Sequence, residues 1–240
     1  MSEATPDRFA AARAGLLAQL QSAGIHDPAV LAAFARVPRE RFVPPDLVEH
    51  AYDDEALGIG HGQTISQPYI VARMTELLRL PPAARADAAP PVRPNDPRIP
   101  RQDFAVRALD VGTGSGYQAA ILAAMGVEVV SIERDAELSA AAERRLREVG
   151  LGDRVECVVG DGTEGWPGRA PYDGIVVAAA SPQVPPPLLD QLASGGRLVI
   201  PIGPRDHQSL HALWRVGDAV EDRVLDPCVF VPLVGRFGFQ

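Results

Sequence analysis

The sequence predicts a doubly wound α/β fold: a mostly parallel seven-stranded sheet with an N-terminal helical and loop extension. Three observations predict it. Beyond residue 106, short apolar runs alternate with helical stretches, as βαβ units require. The runs are continuous in Val, Ile and Leu without polar alternation, which marks strands covered on both faces. The first run, Ala108-Leu109-Asp110-Val111, passes directly into Gly112-Thr113-Gly114-Ser115-Gly116 and then a helix from about Tyr117, a strand–turn–helix of the nucleotide-binding kind.

The elements follow in order. Pro6 to Ala23 has helical spacing through Phe9, Leu16, Leu17 and Leu20, and Gly24 closes it. Asp27-Pro28 opens a second helix through Val30, Leu31 and Phe34. From Pro38 to Pro68 the pattern breaks into polar, glycine-rich loop. A helix over Tyr69–Leu80 puts Val71, Met74, Leu77 and Leu78 on one face. Pro81 to Arg101 holds seven prolines and no period, the signature of a surface linker or insertion. Strands are expected near Val106–Val111, Val127–Glu133, Val155–Gly160, Gly174–Ala179 and Gly196–Ile202, with helices near Tyr117–Met125, Ala136–Val149 and Pro186–Ala193. Leu210–Val216 and Val229–Val234 read as an antiparallel closing pair.

Composition narrows the function. A length of 240 residues suits one large core, and 46% hydrophobic with 22% charged residues is ordinary for a soluble protein. The net charge of −8 argues against general nucleic-acid binding, which needs clustered Lys and Arg. Met1 to Leu20 has no uninterrupted apolar core and reads as neither signal peptide nor membrane span. Two cysteines, Cys157 in an apolar strand pattern and Cys228, fit a reduced, cytoplasmic protein.

The chemistry concentrates on the glycine turn. Alternate glycines let backbone approach a ligand, and the following helix turns its free N–H groups and positive dipole end toward it. Seventeen residues beyond Gly116, Glu133 ends the neighbouring strand, where a carboxylate suits a ribose diol. The glycine spacing departs from the dinucleotide G-x-G-x-x-G, and Asp110 ahead of it would repel a pyrophosphate. S-adenosylmethionine, with its sulfonium, ammonium and ribose, fits acids at Asp110 and Glu133 better than NAD does. Asp161, in Gly160-Asp161-Gly162 after the third strand, could accept from an adenine amino group or simply close an Asp-Gly turn. Asp173 reads as a structural turn residue. The loop Ile59-Gly60-His61-Gly62-Gln63-Thr64-Ile65-Ser66-Gln67-Pro68 is either a helix cap, with Ser66 as the capping residue, or an active-site loop.

Ordered blocks along almost the whole chain resemble the protein-L-isoaspartate (D-aspartate) O-methyltransferases. These are Val37-Pro38-Arg39-Glu40-Arg41-Phe42-Val43-Pro44, Gly62–Pro68, Asp110–Tyr117, Gly160–Gly162, Ala170–Asp173, Gly195–Gly203 and Phe230–Val234. The glycine block alone indicates only a class I, Rossmann-like methyltransferase; Thr64-Ile65-Ser66 with the following proline is far more specific. The resemblance implies methyl transfer from S-adenosyl-L-methionine to the α-carboxylate of L-isoaspartyl residues in damaged proteins, leaving S-adenosyl-L-homocysteine. The ester then collapses to a succinimide, and hydrolysis returns some aspartate. It implies that Ser66 is the residue tied to activity. It assigns the cofactor to Gln63, Thr64, Ile65, Ser66, Asp110, Gly112, Thr113, Gly114, Gly116, Glu133, Asp161 and Gly162. Val231–Val234 matches a segment that helps enclose cofactor and peptide in relatives. The expected organisation is one domain: helices and substrate loop in residues 1–80, a proline-rich insertion at 81–105, and the cofactor-binding sheet with C-terminal strands at 106–240. Pro82–Phe104 is where the chain departs from its relatives, which connect helix and first strand more briefly.

Isoaspartyl peptides and proteins are the expected partners, with no nucleic acid, no membrane and a monomeric state. Alternative readings are a methyltransferase of a small molecule and a non-catalytic methyltransferase-like binding protein. His207 and His211 beside Asp206 have metal-like spacing, but Leu210–Val216 alternates like a strand, so no metal is expected. Asp53-Asp54-Glu55 reads as a solvated face, His61 as a structural loop residue, and no G-x-S-x-G elbow supports a hydrolase.

Overall fold

The structure, a computed structural model, describes residues 7–81, 106–216 and 219–240. The expected proline-rich insertion, from residue 82 to 105, and the start of the first helix at Pro6 lie outside the described residues. Helices α1 (Ala10–Ser22) and α2 (Pro28–Arg36) lead to two 3-10 turns at Arg39–Arg41 and Pro45–His50. A hairpin of β1 (Leu57–Gly60) and β2 (Gln63–Ile65) and helix α3 (Pro68–Leu77) complete the N-terminal part. There follow β3 (Arg107–Val111), α4 (Tyr117–Ala124), β4 (Glu128–Glu133), α5 (Ala136–Glu148), β5 (Val155–Val159), β6 (Tyr172–Val177), α6 (Pro186–Asp190), β7 (Leu192–Ile202), β8 (Gln208–Val216) and β9 (Ala219–Cys228).

The seven-stranded sheet has the order β5-β4-β3-β6-β7-β8-β9. Pairing is parallel from β5 to β7 and antiparallel for the last two strands. The chain runs outward through β4 and β5, then returns to the other side of β3 with β6. The crevice at the carboxyl ends of β3 and β6 is therefore a topological switch point, where doubly wound sheets take ligands. Successive strand residues point to opposite faces, and both faces are buried. Ala108, Val129, Val176 and Val199 pack beneath the N-terminal helices and α4, while Leu109, Val130, Ile175 and Leu198 pack on the opposite side. That double cover explains the unbroken apolar runs. Every residue of α4 is buried because it is held between the sheet and α2. No helix among the described residues is long and apolar enough to cross a membrane.

Local chemistry sets the ends. The Asp27 carboxylate accepts from Ala29 N–H at 2.8 Å, with Pro28 in the first turn of α2, and Asp135 caps α5 in the same way through Glu137 and Leu138 N–H at 2.9 and 3.1 Å. Several expectations need correction. The stretch 38–68 is not all loop: it holds a hairpin whose strands are only four and three residues long, with Gly58 and Gly60 in the first and Gly62 in the turn, too short and glycine-rich for a periodic signal. Asp54 is not merely solvated, since its carboxylate accepts from Tyr69 N–H at 2.8 Å and from the Gln67 side chain at 3.0 Å, capping α3 from a distance. The partner of β8 is Ala219–Cys228 rather than Val229–Val234. That edge strand is largely exposed and charged, with Glu221, Asp222 and Arg223, so it shows no apolar run. Val229–Val234 instead crosses to the end of β6, where Ala180 N–H donates to Val231 O at 2.8 Å and Leu233 N–H to Ala180 O at 2.7 Å.

Candidate active-site cleft

The cleft at the switch point is walled by residues from seven parts of the chain: Gln63–Ser66, Val71 with Met74, Val111–Ser115 with Tyr117 and Gln118, Ile132–Arg134, Gly162, Ala178–Ala179 and Val231–Val234. The glycine turn forms its floor. Gly112 and Thr113 N–H both reach Ile132 O, at 2.9 and 3.3 Å, which curls the chain back over β4. Gly116, the N-cap of α4, has φ +91°, and a Cβ there would stand 3.1 Å from the Ala142 methyl. Only glycine fits that position without strain.

Glu133 lines the cleft and is only 8% exposed. One carboxylate oxygen accepts from Gly114 N–H at 3.0 Å, and the other from Arg134 and Asp135 N–H at 2.8 and 3.1 Å. The acid is thereby fixed against the glycine turn. Asp110 stands differently: it lies fully buried behind the lining residues rather than facing the cleft. Its Oδ2 accepts from Ser131 Oγ at 2.8 Å, and Ser131 in turn meets Thr113 Oγ1 at 2.7 Å. Its Oδ1 has no partner. Burial pushes this carboxyl up to about 7; the neighbouring Glu133 charge adds to the effect and the Ser131 bond opposes it. A buried carboxylate oxygen without a donor, beside a ring of glycines and a second acid, is a setting that favours a cationic ligand and disfavours a pyrophosphate.

Asp161 is committed to the protein itself. Oδ1 accepts from Thr163 N–H and Oγ1 at 2.8 and 2.7 Å, and Oδ2 from Arg236 N–H at 2.7 Å. Burial works against its charge, but these bonds outweigh it and hold the carboxyl below the usual range. Its neighbour Gly162 lines the cleft, and a Cβ there would strike Val111 Cγ1 at 2.5 Å.

The loop Gln63–Ser66 forms the opposite wall. The helix cap of α3 is Gln67, with no side-chain capping bond, so the Ser66 hydroxyl is not used as a cap. What sets the loop is Arg39, a fully buried arginine of the Val37–Pro44 block whose role no local pattern announces. Its Nε donates to Ala51 O at 2.8 Å and its Nη2 to Ser66 O at 2.9 Å, while the guanidinium lies 4.8 Å from the Tyr117 ring centre. One side chain thus joins the serine loop to the first residue of α4. Tyr117, Gln118 and Met74 also line the cleft and were not expected there. Gln118 carried a signal: it is the one polar side chain besides Tyr117 in an otherwise apolar helix, and its amide donates to Thr75 Oγ1 at 2.9 Å.

Elsewhere, His211 pairs with Asp222 across β8 and β9 at 2.9 Å. Among the described residues one group has metal-ligand proximity, the exposed His50, Asp53 and Glu55.

Comparison with known proteins agrees with this geometry. A family model described as protein-L-isoaspartate(D-aspartate) O-methyltransferase matches residues 11–87 and 102–238. The protein-L-isoaspartate O-methyltransferase of Methanoculleus marisnigri is 48% identical over 222 residues, spanning 92% of this chain and 90% of its own. A solved protein-L-isoaspartate O-methyltransferase superposes with a TM-score of 0.77 at 27% identity, over 94% of this chain and 67% of the other. A Plasmodium falciparum structure ascribed to the same methyltransferase, in complex with S-adenosyl-L-homocysteine, matches in fold with a TM-score of 0.71 at 24% identity, over 92% and 97% of the two chains.

Proposed function

The chain belongs to the protein-L-isoaspartate (D-aspartate) O-methyltransferase family, and from that premise we infer how its cleft performs the family's reaction. It is an S-adenosylmethionine-dependent enzyme that methylates the α-carboxylate of L-isoaspartyl residues in damaged proteins. The methyl ester then closes to a succinimide, whose hydrolysis returns part of the population to normal aspartate. The observation that carries this reading is a juxtaposition: the Ser66 loop and the Glu133-tipped glycine turn open onto one cleft.

The donor, when bound, supplies an electrophilic methyl group on a sulfonium. The residues present fit it: the orphaned Asp110 oxygen and Glu133 give negative potential, and Glu133 is placed to accept from ribose hydroxyls. We assign the cofactor to Gln63–Ser66, Gly112–Gly114, Gly116, Glu133 and Gly162, with Asp110 acting from beneath through its field and Asp161 by anchoring Gly162 and Arg236. The acceptor needs no strong base, because an α-carboxyl has a reference pKa of about 3.3–3.7 and is already ionised. The protein's task is alignment, and holding nucleophile and electrophile in line can contribute about 7–11 kcal/mol. The Ser66 hydroxyl donates to the substrate carboxylate and orients it, without becoming a nucleophile. Val71, Met74 and Leu233 give the cleft apolar walls that limit water around the reacting charges.

The described N-terminal helices share a core with α4 and the sheet, which supports a single functional domain. The acidic net charge and free, half-buried cysteines support a monomeric cytoplasmic enzyme without nucleic-acid partners. The test is transfer of labelled methyl from the donor to matched peptides holding isoaspartate or aspartate. Label on the isoaspartyl peptide alone, lost in mild base, is the expected result; label on both or neither overturns the assignment.

A further inference from the structure

The hairpin that carries the acceptor loop is secured unequally along its length. Its base is packed: Leu57 and Ile65 are buried, and Arg39 holds the Ser66 carbonyl. Its middle lies over the glycine turn, where a Cβ on Gly114 would touch Ile59 Cδ1 at 3.5 Å. Its tip is bare. Gly60, His61 and Gly62 are consecutive left-handed residues, with φ of +88°, +54° and +70°, and nothing stands within 4 Å of a Cβ built on either glycine. A non-glycine residue in that region is uncommon and costs about 1–2 kcal/mol, so its side chain invites an explanation.

The His61 ring reaches across to the cofactor half of the site. Its Nδ1 lies 2.8 Å from Asp135 Oδ2 and its Nε2 3.7 Å from Glu137 Oε2. Asp135 is no ordinary surface acid: its other oxygen caps α5, and its own N–H donates to the Glu133 carboxylate at 3.1 Å. The tip is therefore tied, through one residue, to the acid fixed against the glycine turn.

We propose that His61 is a positioning residue that latches the acceptor hairpin over the cofactor cleft, so that opening of the His61–Asp135 pair governs how fast the nucleoside product leaves. The proposal rests on reading the cleft as the donor site. The latch acts through the hairpin and touches neither reacting group. An exposed pair of this kind is worth little in absolute terms; about 0.4–1 kcal/mol, the upper part of the usual range, translates into release faster by roughly two- to fivefold. That modest strength suits a part that must open in every turnover.

The experiment is a chase of labelled S-adenosylhomocysteine from the enzyme, followed by rapid filtration. The variants are His61→Ala, Asp135→Asn, which keeps the helix cap while removing the charge, and the pair together. Each single variant should release product two- to fivefold faster, and the double variant no faster than either, because both remove one interaction. At a pH low enough to protonate an imidazole, about 5.5, raising the salt to about 1 M should speed release from the wild type and leave the variants unmoved, since an exposed ion pair is open to screening. Wild-type release rates in both single variants, or simple multiplication of effects in the double, would overturn the latch. Failure of the wild type to hold the nucleoside at all would instead sink the reading of the cleft.

Discussion

Replacing Asp110 by Asn tests the electrostatics beneath the glycine turn most directly. Asn matches the neutral acid in shape and can still accept from Ser131. The wild-type carboxyl is raised from 3.8 to about 7 by burial, which at about 1.36 kcal/mol per pH unit corresponds to about 4 kcal/mol in favour of the neutral form. The sign follows from linkage. A group whose folded-state pKa is raised contributes its stability in full below 3.8 and loses it as pH rises through about 7. Between pH 5 and pH 8 the ligand-free wild type should therefore lose about 3 kcal/mol relative to Asp110→Asn, on top of a pH-independent offset of about 1–3 kcal/mol from the imperfectly paired amide. Urea unfolding of both proteins across this range measures the difference, and subtraction removes the titration of all other groups. Parallel stability profiles would refute the argument, because they would mean that Asp110 ionises as easily in the fold as in the unfolded chain. The same logic predicts that binding the cationic donor near pH 7 expels a proton, detectable by calorimetry in buffers of different ionisation heat.

Other consequences are simpler to read. Ser66→Ala should lower kcat/KM for an isoaspartyl peptide by about 10- to 100-fold, the worth of one hydrogen bond to a charged group, as initial rates of methyl transfer would measure. Arg39→Met strips the Ala51 and Ser66 carbonyls of their donor; each buried acceptor left unpaired costs about 1–3 kcal/mol, visible as a lower denaturant midpoint together with a raised peptide KM. Gly116→Ala places a methyl in the left-handed region beside Ala142, and should cost about 1–2 kcal/mol of stability and weaken donor binding, as thermal melts with and without donor would report. Gly162→Val should be worse tolerated still, because Val111 already stands 2.5 Å from the first added carbon.

Much of this architecture was legible in the residues themselves. Asp27-Pro28 announced α2, the Val/Ile runs announced a sheet buried on both faces, and three alternate glycines after Asp110 located the turn between β3 and α4. The failures have physical causes. The hairpin at 57–65 is held by backbone pairing and a few anchors, so its glycine-rich strands carry no periodic signal. Strand β9 lies at the sheet edge with most side chains in water, and nothing in its composition separates it from a polar loop. The sequence presents Asp110 and Glu133 as two acids at adjacent strand ends, yet Glu133 lines the cleft and Asp110 lies sealed under it. A strand's alternation determines which face each side chain meets, but depth relative to the turn depends on how the glycines fold back. Arg39 escaped because arginine is seldom fully buried; its partners are carbonyls remote in sequence that no local pattern announces.

The walls of the cleft are drawn from residues 63 to 234, about seven tenths of the polypeptide. With the cleft as the proposed donor site, recognition is a property of the finished fold, since no half of the chain holds all of its walls. During synthesis the early strands emerge long before the distant Val231–Val234 segment that completes the cleft. Once assembled, ligand occupancy reports on the whole tertiary structure: at a hundred times Kd it adds about 2.7 kcal/mol against global unfolding, spread over every segment that must arrive.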